Sequence, residues 1–250
     1  MMTDEAWQAL LARAEQRRSG MASGSTLELA DWHGLYADFA SRPMIFGHLG
    51  QSIDGRIATT TGDSYYVTGE DNLVHLHRMR ALADAVIVGI GTVVQDNPKL
   101  TVRRVEGPNS VRVLLDPEGI ASQSSNIFSD GAAETLWLTR KTLPPYEGAD
   151  GFARAAVEAL KARGLASLFV EGGGRTVSRF LAAGLLDRLQ ITVAPVIVGA
   201  GRQGLSWPAV ARMSDALRPP CRTVAMGKDV LFEFDLPRPP HENGAGQTAG

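Results

Sequence analysis

The chain has 250 residues, 44% of them hydrophobic and 21% charged, with a formal net charge of −2. That suits one large domain or two small ones with an ample core, and the absence of a dense basic run argues against a nucleic-acid partner. One cysteine, Cys221, excludes a disulfide within the chain and any cysteine-based zinc site, no apolar run approaches the ~20 residues of a membrane span, and an N-terminus carrying Asp4 and Glu5 is no secretory signal, so a reducing, cytoplasmic location is expected.

Trp7, Leu10, Leu11 and Ala14 recur at helical spacing, which predicts a short amphipathic helix over 4–18. A Ser/Gly-rich link over 21–26 follows, then a second helix within 27–41 around Trp32, Leu35, Tyr36 and Phe39. Residues 1–41 are read as a helical appendage, 42–236 as the main domain, and the Pro/Gly-rich tail from Pro237 as disordered. Met44–Leu49 reads as a strand, and Asp54-Gly55 as a turn. Thr68 is placed to cap a helix over 69–83, with Leu73, Leu76, Met79 and Ala83 toward the core.

Ala85–Ile90 is a continuous apolar strand of the kind covered on both faces. A short segment then runs to Asp96-Asn97-Pro98, where proline stops any helix. Strands are expected at Val111–Leu115 and Thr135–Thr139, with a loop-rich 119–133 between them, and a helix over 151–163. Leu189–Val198 reads as a long strand that Pro195 would place at an edge or bulge, with a hairpin over 222–235 around Gly227-Lys228-Asp229. Strands alternating with helices predict a mostly parallel sheet covered on both faces, with a terminal antiparallel hairpin.

The stretch from Leu168 to Thr176 stands out: three apolar residues, Glu171, three glycines, then helical period through Val177, Phe180, Leu181 and Leu185. This is a strand, a tight turn and a helix start, a geometry suited to an anion. By spacing alone it is equally a plain βα turn. Gly199-Ala200-Gly201-Arg202-Gln203-Gly204 matches G-x-G-x-x-G, but Ser206-Trp207-Pro208 after it is no helix opening, so it reads as a glycine loop. His75 and His77 lie two apart, unsuited to the i, i+4 geometry of a helical zinc site, and read as surface or rim residues; no metal site is expected. Arg80 and Arg103, each alone a surface cation, could together clamp a phosphate.

Several segments, in order, resemble one family. They are Ser52-Ile53-Asp54-Gly55-Arg56, Thr61-Gly62-Asp63-Ser64, Arg80-Ala81, Gly91-Thr92-Val93, Asp96 through Arg103, and Glu171-Gly172-Gly173-Gly174. The family is the pyrimidine reductase of riboflavin biosynthesis, with a dihydrofolate-reductase-like α/β fold, and the likeness runs from about Arg42 to Phe234. It implies NADPH-dependent reduction of a ribosylamino-pyrimidine phosphate to its ribitylamino form, and commonly a homodimer, for which the apolar 189–198 strand could be an interface. It also implies roles. Gly50, Tyr66, Thr92, Asp96, Pro117, Gly172, Gly173, Gly174, Arg175 and Thr176 would hold the cofactor; Ser64, Arg80, Leu100, Arg103 and Glu171 would face the substrate; Asp96 and Glu171 would stand nearest the chemistry. Arg140, after a strand, is expected at the NADPH 2′-phosphate by charge and place. Departures are Asn97, where relatives often have Asp, and Tyr66, where Trp is common. The zinc deaminase of many relatives has no room in 41 residues, so a stand-alone reductase is expected. A reductase of the same fold with another heterocyclic substrate, and a non-catalytic nucleotide-binding protein, remain open alternatives.

Overall fold

Short β-branched runs between glycine and proline stops give a sheet of short strands, and the helical stretches between them cover it. The computed structural model describes residues 2–21, 31–65, 67–148 and 150–236. The chain runs α1 (Asp4–Arg18), α2 (Asp31–Ser41), β1 (Ile45–Ser52), β2 (Arg56–Thr59), α3 (Glu70–Leu82), β3 (Ala85–Gly89) and α4 (Ile90–Asp96). It continues through β4 (Val111–Leu115), α5 (Asn126–Ser129), β5 (Thr135–Leu138), α6 (Gly151–Ala162), β6 (Leu168–Val170) and α7 (Gly174–Ala182). It closes with β7 (Arg188–Ala194), β8 (Gly201–Gln203), β9 (Cys221–Met226) and β10 (Asp229–Asp235). Most of the expected link over 21–26, Tyr66, and the tail from Pro237 lie outside the described residues.

The main sheet has eight strands in the order β5-β4-β3-β6-β1-β7-β10-β9. The first six run parallel. The hairpin β9–β10 adds antiparallel to β7. This is the α/β architecture expected from the alternation of strands and helices. Side-chain alternation divides the core in two. Val86 and Val88 of β3, with Phe46 and Phe169, pack on α1, α2 and α3. Ala85 and Ile87, with Val170, pack on α6 and α7. Phe39, Phe46 and Phe169 form an aromatic stack, with centroids 4.6 and 5.0 Å apart, that joins α2 to the sheet.

Helix α1 starts on a Thr3 cap, carries Asp4 and Glu5 in its first turn and ends on Arg17 and Arg18, the charge order its dipole favours. Those arginines reach across to α3. Arg17 donates to Leu82 O (2.8 Å), and Arg18 to Ala81 O and Ala83 O (2.8 and 3.0 Å). Both pair with Asp84. The carbonyls that α3 leaves open at its end are therefore met by α1.

Several local expectations are corrected. Thr68 does not cap α3: it lies one residue before the N-cap Gly69, whose N–H donates instead to Asp229 Oδ2 at 2.7 Å. Thr68 accepts from Asn72. Leu73 and Leu76 are only half-buried, whereas Asn72, His75 and His77 are buried. Strand β7 is interior, between β1 and β10, so Pro195 ends the strand without marking an edge, and the strand is no free interface. The loop over 119–133 contains the single turn α5, and the glycine loop at 199–204 contains β8, which pairs with β2.

The buried histidines belong to a polar chain that hydropathy cannot reveal. The Glu233 carboxylate accepts from Gln190 Nε2 at 2.6 Å and from Arg188 Nη1 at 3.0 Å. Gln190 therefore turns its oxygen to His75 Nε2 (2.8 Å), which carries the proton, and His75 Nδ1 accepts from the Tyr36 hydroxyl (2.7 Å). His48 lies beside it, its Nε2 at 3.0 Å from Asn72 Oδ1 and 3.1 Å from Thr192 Oγ1. Burial pushes His75 down to about 4 and His48 to about 3. His77 is pushed to about 3 by burial first and then by Arg80, Arg103 and Arg104.

Unfolded, these histidines titrate near 6.5. Their folded values lie lower, so the stability they confer is complete above about pH 6.5 and falls as the pH drops toward 4. Urea unfolding should show a midpoint that falls between pH 7.5 and 5, with about three protons taken up per molecule unfolded at pH 5. A midpoint constant over that range would contradict neutral burial of the three rings.

Candidate active site

Parallel strands present their carboxyl ends together, and ligands of open α/β sheets bind there. Here the ends of β1, β3, β4 and β6 open into one cavity of about 990 Å³. Its wall takes Gly50 from β1, Ser64 from the loop after β2, Thr92 and Asp96 from α4, Pro117 after β4 and Arg140 after β5. Glu171, Gly172, Gly173, Gly174, Arg175 and Thr176 complete it. The structure thus brings most of the expected cofactor residues to one place; Tyr66 lies outside the described residues.

The glycine turn has a physical shape. Gly173 is the N-cap of α7 and supplies no side-chain cap, so the first N–H groups of the helix keep their dipole for a ligand. Gly173 N–H itself donates to Thr92 Oγ1 at 3.1 Å, which ties the turn to α4. Gly174 is required by contact: a Cβ there would run into the Gly204 carbonyl oxygen. A Cβ on Gly172 would meet Thr176 Cβ at 2.7 Å. The β8 segment therefore closes over the helix start, and it brings Arg202 and Gln203 into the cavity wall.

Arg80 and Glu171 meet on the other side of the turn. Arg80 Nε donates to Glu171 Oε2 at 2.6 Å, and Nη2 to Oε1, a bidentate pair. Arg80 Nη1 donates to Thr101 O at 2.9 Å, and the Ser110 hydroxyl donates to the Arg80 carbonyl. Glu171 lies on the cavity wall; Arg80, Leu100 and Arg103 do not. Leu100 is buried and Asn97, at the end of α4, is exposed; both adopt the left-handed conformation (φ 53° and 40°), and such residues concentrate where a loop is held to a shape. Arg103 is exposed, touches Thr101 Oγ1 at 3.4 Å and makes no ion pair among the described residues. Partial desolvation, then the guanidinium groups of Arg80 and Arg104, lower its pKa. The result is a basic corner beside the Glu171 rim.

Asp96 is open to solvent yet sits in the recess. Loss of part of its hydration raises its pKa, and Arg202 pulls the other way. Arg140 pairs with Glu118 at 3.0 Å in an exposed contact. His48, Asn72 and Arg179 also line the cavity and carry no motif in the sequence, and Arg202 joins them from the glycine loop at 199–204. His48 and Asn72 could be found only from a buried polar residue on an otherwise apolar strand and a polar one on a helix face. Among the described residues no group of three His, Cys, Asp or Glu is placed to hold a metal. No described helix is long and apolar enough to cross a membrane.

The model of the RibD C-terminal domain matches residues 43–212. A 2,5-diamino-6-ribosylamino-4(3H)-pyrimidinone 5′-phosphate reductase from Methanothermobacter thermautotrophicus is 32% identical over 215 residues, covering 78% of this chain and 99% of that protein. The riboflavin biosynthesis protein RibD of Mycobacterium tuberculosis is 31% identical over 232 residues, covering 90% of this chain and 64% of that one. A solved deaminase/5-amino-6-(5-phosphoribosylamino)uracil reductase from Thermotoga maritima superposes with a TM-score of 0.65 at 28% identity, covering 78% of this chain and 57% of that one. The chain spans 48% of the length of the RibD protein of Aquifex aeolicus.

The side chains of Arg80 and Glu171 are 9% and 16% exposed, so breaking the pair leaves a charge with little water. Glu171→Ala should destabilise the fold by about 3 kcal/mol. Arg80→Met combined with Glu171→Leu should recover most of that loss in urea titrations. A Glu171→Ala protein as stable as the parent would show that the pair is not closed in solution.

Proposed function

This chain belongs to the RibD C-terminal domain family, and from that premise we propose that it reduces a 6-ribosylamino-pyrimidine 5′-phosphate to its ribitylamino form with NADPH, as a riboflavin-pathway reductase. The observation that carries the reading is the pairing, on either side of Glu171, of an uncapped helix N-terminus and a corner of arginines. Two anionic groups, a pyrophosphate and a sugar phosphate, would find complementary surfaces on the two sides of Glu171, the first within the cavity and the second at the basic corner beside its rim.

The cavity residues fit the dinucleotide. Glycines at 172–174 keep Cβ atoms away from the helix start, and the first α7 turn adds Arg175 and Thr176. Arg140 would take the 2′-phosphate; its exposed pair with Glu118 is worth only ~0–1 kcal/mol and exchanges readily. Bound NADPH would supply the hydride that reaches C1′ of the ribose. Opening the ribose ring moves the N–H proton to O4′, and reduction at C1′ is matched by a proton on the exocyclic nitrogen. Asp96, with its raised pKa, is suited to carry a proton at that end of the cavity. Ser64, Leu100, Arg103 and Glu171 would face the substrate, and Arg80 would act with Arg103 on its phosphate while holding Glu171 in place.

The enzyme would work in the cytoplasm as a homodimer. Val196, Ile197, Trp207, Val210 and Met213 are large apolar residues left exposed in the segments after β7, and these would supply contacts to a second copy. Sedimentation should give twice the 26.7 kDa chain mass, and Ile197→Asp should shift it to the monomer; a monomeric parent would refute the pairing.

The test is NADPH oxidation with the 2,5-diamino pyrimidinone and the deaminated uracil substrates, each with and without the 5′-phosphate. Turnover should require the phosphate. Arg103→Ala should raise KM for the phosphorylated substrate roughly tenfold or more, the worth of a charge-assisted hydrogen bond, and leave NADPH affinity within twofold. No turnover on any of the four substrates, with tight NADPH binding, would overturn the assignment.

A further inference from the structure

The arginine corner stands on a loop that has no secondary structure of its own. From residue 101 to 109 the chain makes no helix or strand, and Arg103, Arg104 and Glu106 through Asn109 are exposed. Such a segment is ordinarily mobile, and ordering it at the moment of binding costs affinity. Its order here comes from named contacts. Val102 N–H donates to Asn109 Oδ1 at 2.7 Å, and Arg103 N–H to His77 Nδ1 at 2.9 Å. These hold the near end of the loop to itself and to α3.

The far end is held by α1. The Trp7 indole N–H donates to Glu106 O at 2.8 Å, and Gln8 Nε2 to Glu106 Oε2 at 2.6 Å. The chain then turns at Gly107 (φ 146°), where an added Cβ would meet Ala81 of α3 at 2.7 Å and Leu11 of α1 at 3.3 Å. Trp7 is buried, and the Arg78 guanidinium lies 5.8 Å from its ring. Val102 and Val105 pack on the core cluster that contains Trp7 and Leu10. Helix α1 is in turn locked to the end of α3 by Arg17 and Arg18. The helix that carries Arg80 and the loop that carries Arg103 and Arg104 are thus braced by the same element. That element lies before residue 43, outside the stretch matched by the family model.

We propose that α1, through Trp7 and Gln8 on Glu106, is a positioning element of the substrate site: it holds the 101–109 loop in the shape that presents the arginine corner to a phosphate. The inference rests on the reading of that corner as the phosphate site. Trp7 and Gln8 are positioning residues and touch no substrate. A free loop would reach the same contacts only after ordering, so loosening it weakens phosphate recognition and leaves the glycine turn, on the opposite side of Glu171, unaffected.

The experiment uses the full chain with Trp7→Phe, Gln8→Ala, their combination, Gln8→Lys and Arg103→Ala. Phenylalanine keeps a ring in the core and removes the N–H; lysine keeps a donor for Glu106. Three readouts are taken: trypsin cleavage after Arg103 and Arg104 in the native protein, KM for the phosphorylated substrate, and NADPH affinity. The double variant should be cut several-fold faster at these arginines. Its KM for the phosphorylated substrate should rise about five- to tenfold, the worth of one neutral hydrogen bond or slightly more. NADPH affinity should stay within twofold, and Gln8→Lys should behave as the parent. An unchanged KM and unchanged cleavage in the double variant, beside a raised KM in Arg103→Ala, overturns the proposal. So does an equal loss of NADPH and substrate, which marks a general structural defect. If Arg103→Ala leaves KM unchanged, the reading of the corner as a phosphate site fails, and the cleavage rates alone decide whether α1 orders the loop. Should the double variant fail to fold, the exposed Gln8→Ala carries the same comparison.

Discussion

The bidentate contact of Arg80 with Glu171 joins the end of α3 to the end of β6, and the site divides around it. Toward the sheet, the glycine turn and the start of α7 present backbone N–H groups without a side-chain cap. Toward α3, Arg80 is joined by Arg103 and Arg104. A guanidinium with its donors on Glu171 and Thr101 is held in one orientation. The pair therefore fixes the position of the glycine turn relative to the arginine corner. A buried pair of this kind is weak evidence for stability but good evidence for geometry.

Geometry at that corner depends on packing well away from it. The first core cluster joins α1, α2 and α3 to one face of the sheet, and the second joins α6 and α7 to the other. Within the first, Glu233, Gln190, His75 and Tyr36 form a directed chain of hydrogen bonds. Each partner's donor or acceptor role follows from its neighbour's, beginning with a carboxylate that can only accept. Burial keeps His75 neutral, and His48 and Asn72 beside it line the cavity wall. A packed core with one satisfied polar arrangement gives the cavity floor a single shape.

Much of the site is legible in the residues themselves. Leu168-Phe169-Val170 has to be a buried strand, Gly172–Gly174 a tight turn, and Val177, Phe180 and Leu181 one helical face, because these follow from periodicity and the steric freedom of glycine. The ordered segments from Ser52 to Gly174 carry the family. Other features are illegible for physical reasons. His75 and His77 look like surface residues on a helix, since nothing local shows that Gln190, over a hundred positions away, accepts from one and the Arg103 backbone donates to the other. The glycines at 199–204 match G-x-G-x-x-G by spelling, but their use is close contact: Gly204 lies against Gly174, and β8 pairs with β2.

What the sequence determined by itself was therefore local or cumulative: the strands β3 and β4, the βα turn after β6, the alternation that makes a parallel sheet, and the ordered motifs of the reductase family. Each follows from the residue types within a few positions, or from their order along the chain. The tertiary structure alone decided which charges face each other. It placed Arg80 on Glu171 and not on the cavity wall, made β7 an interior strand despite Pro195, and seated α1 on the loop that carries Arg103. Those outcomes depend on desolvation and on partners distant in sequence, and neither is a property of any single segment.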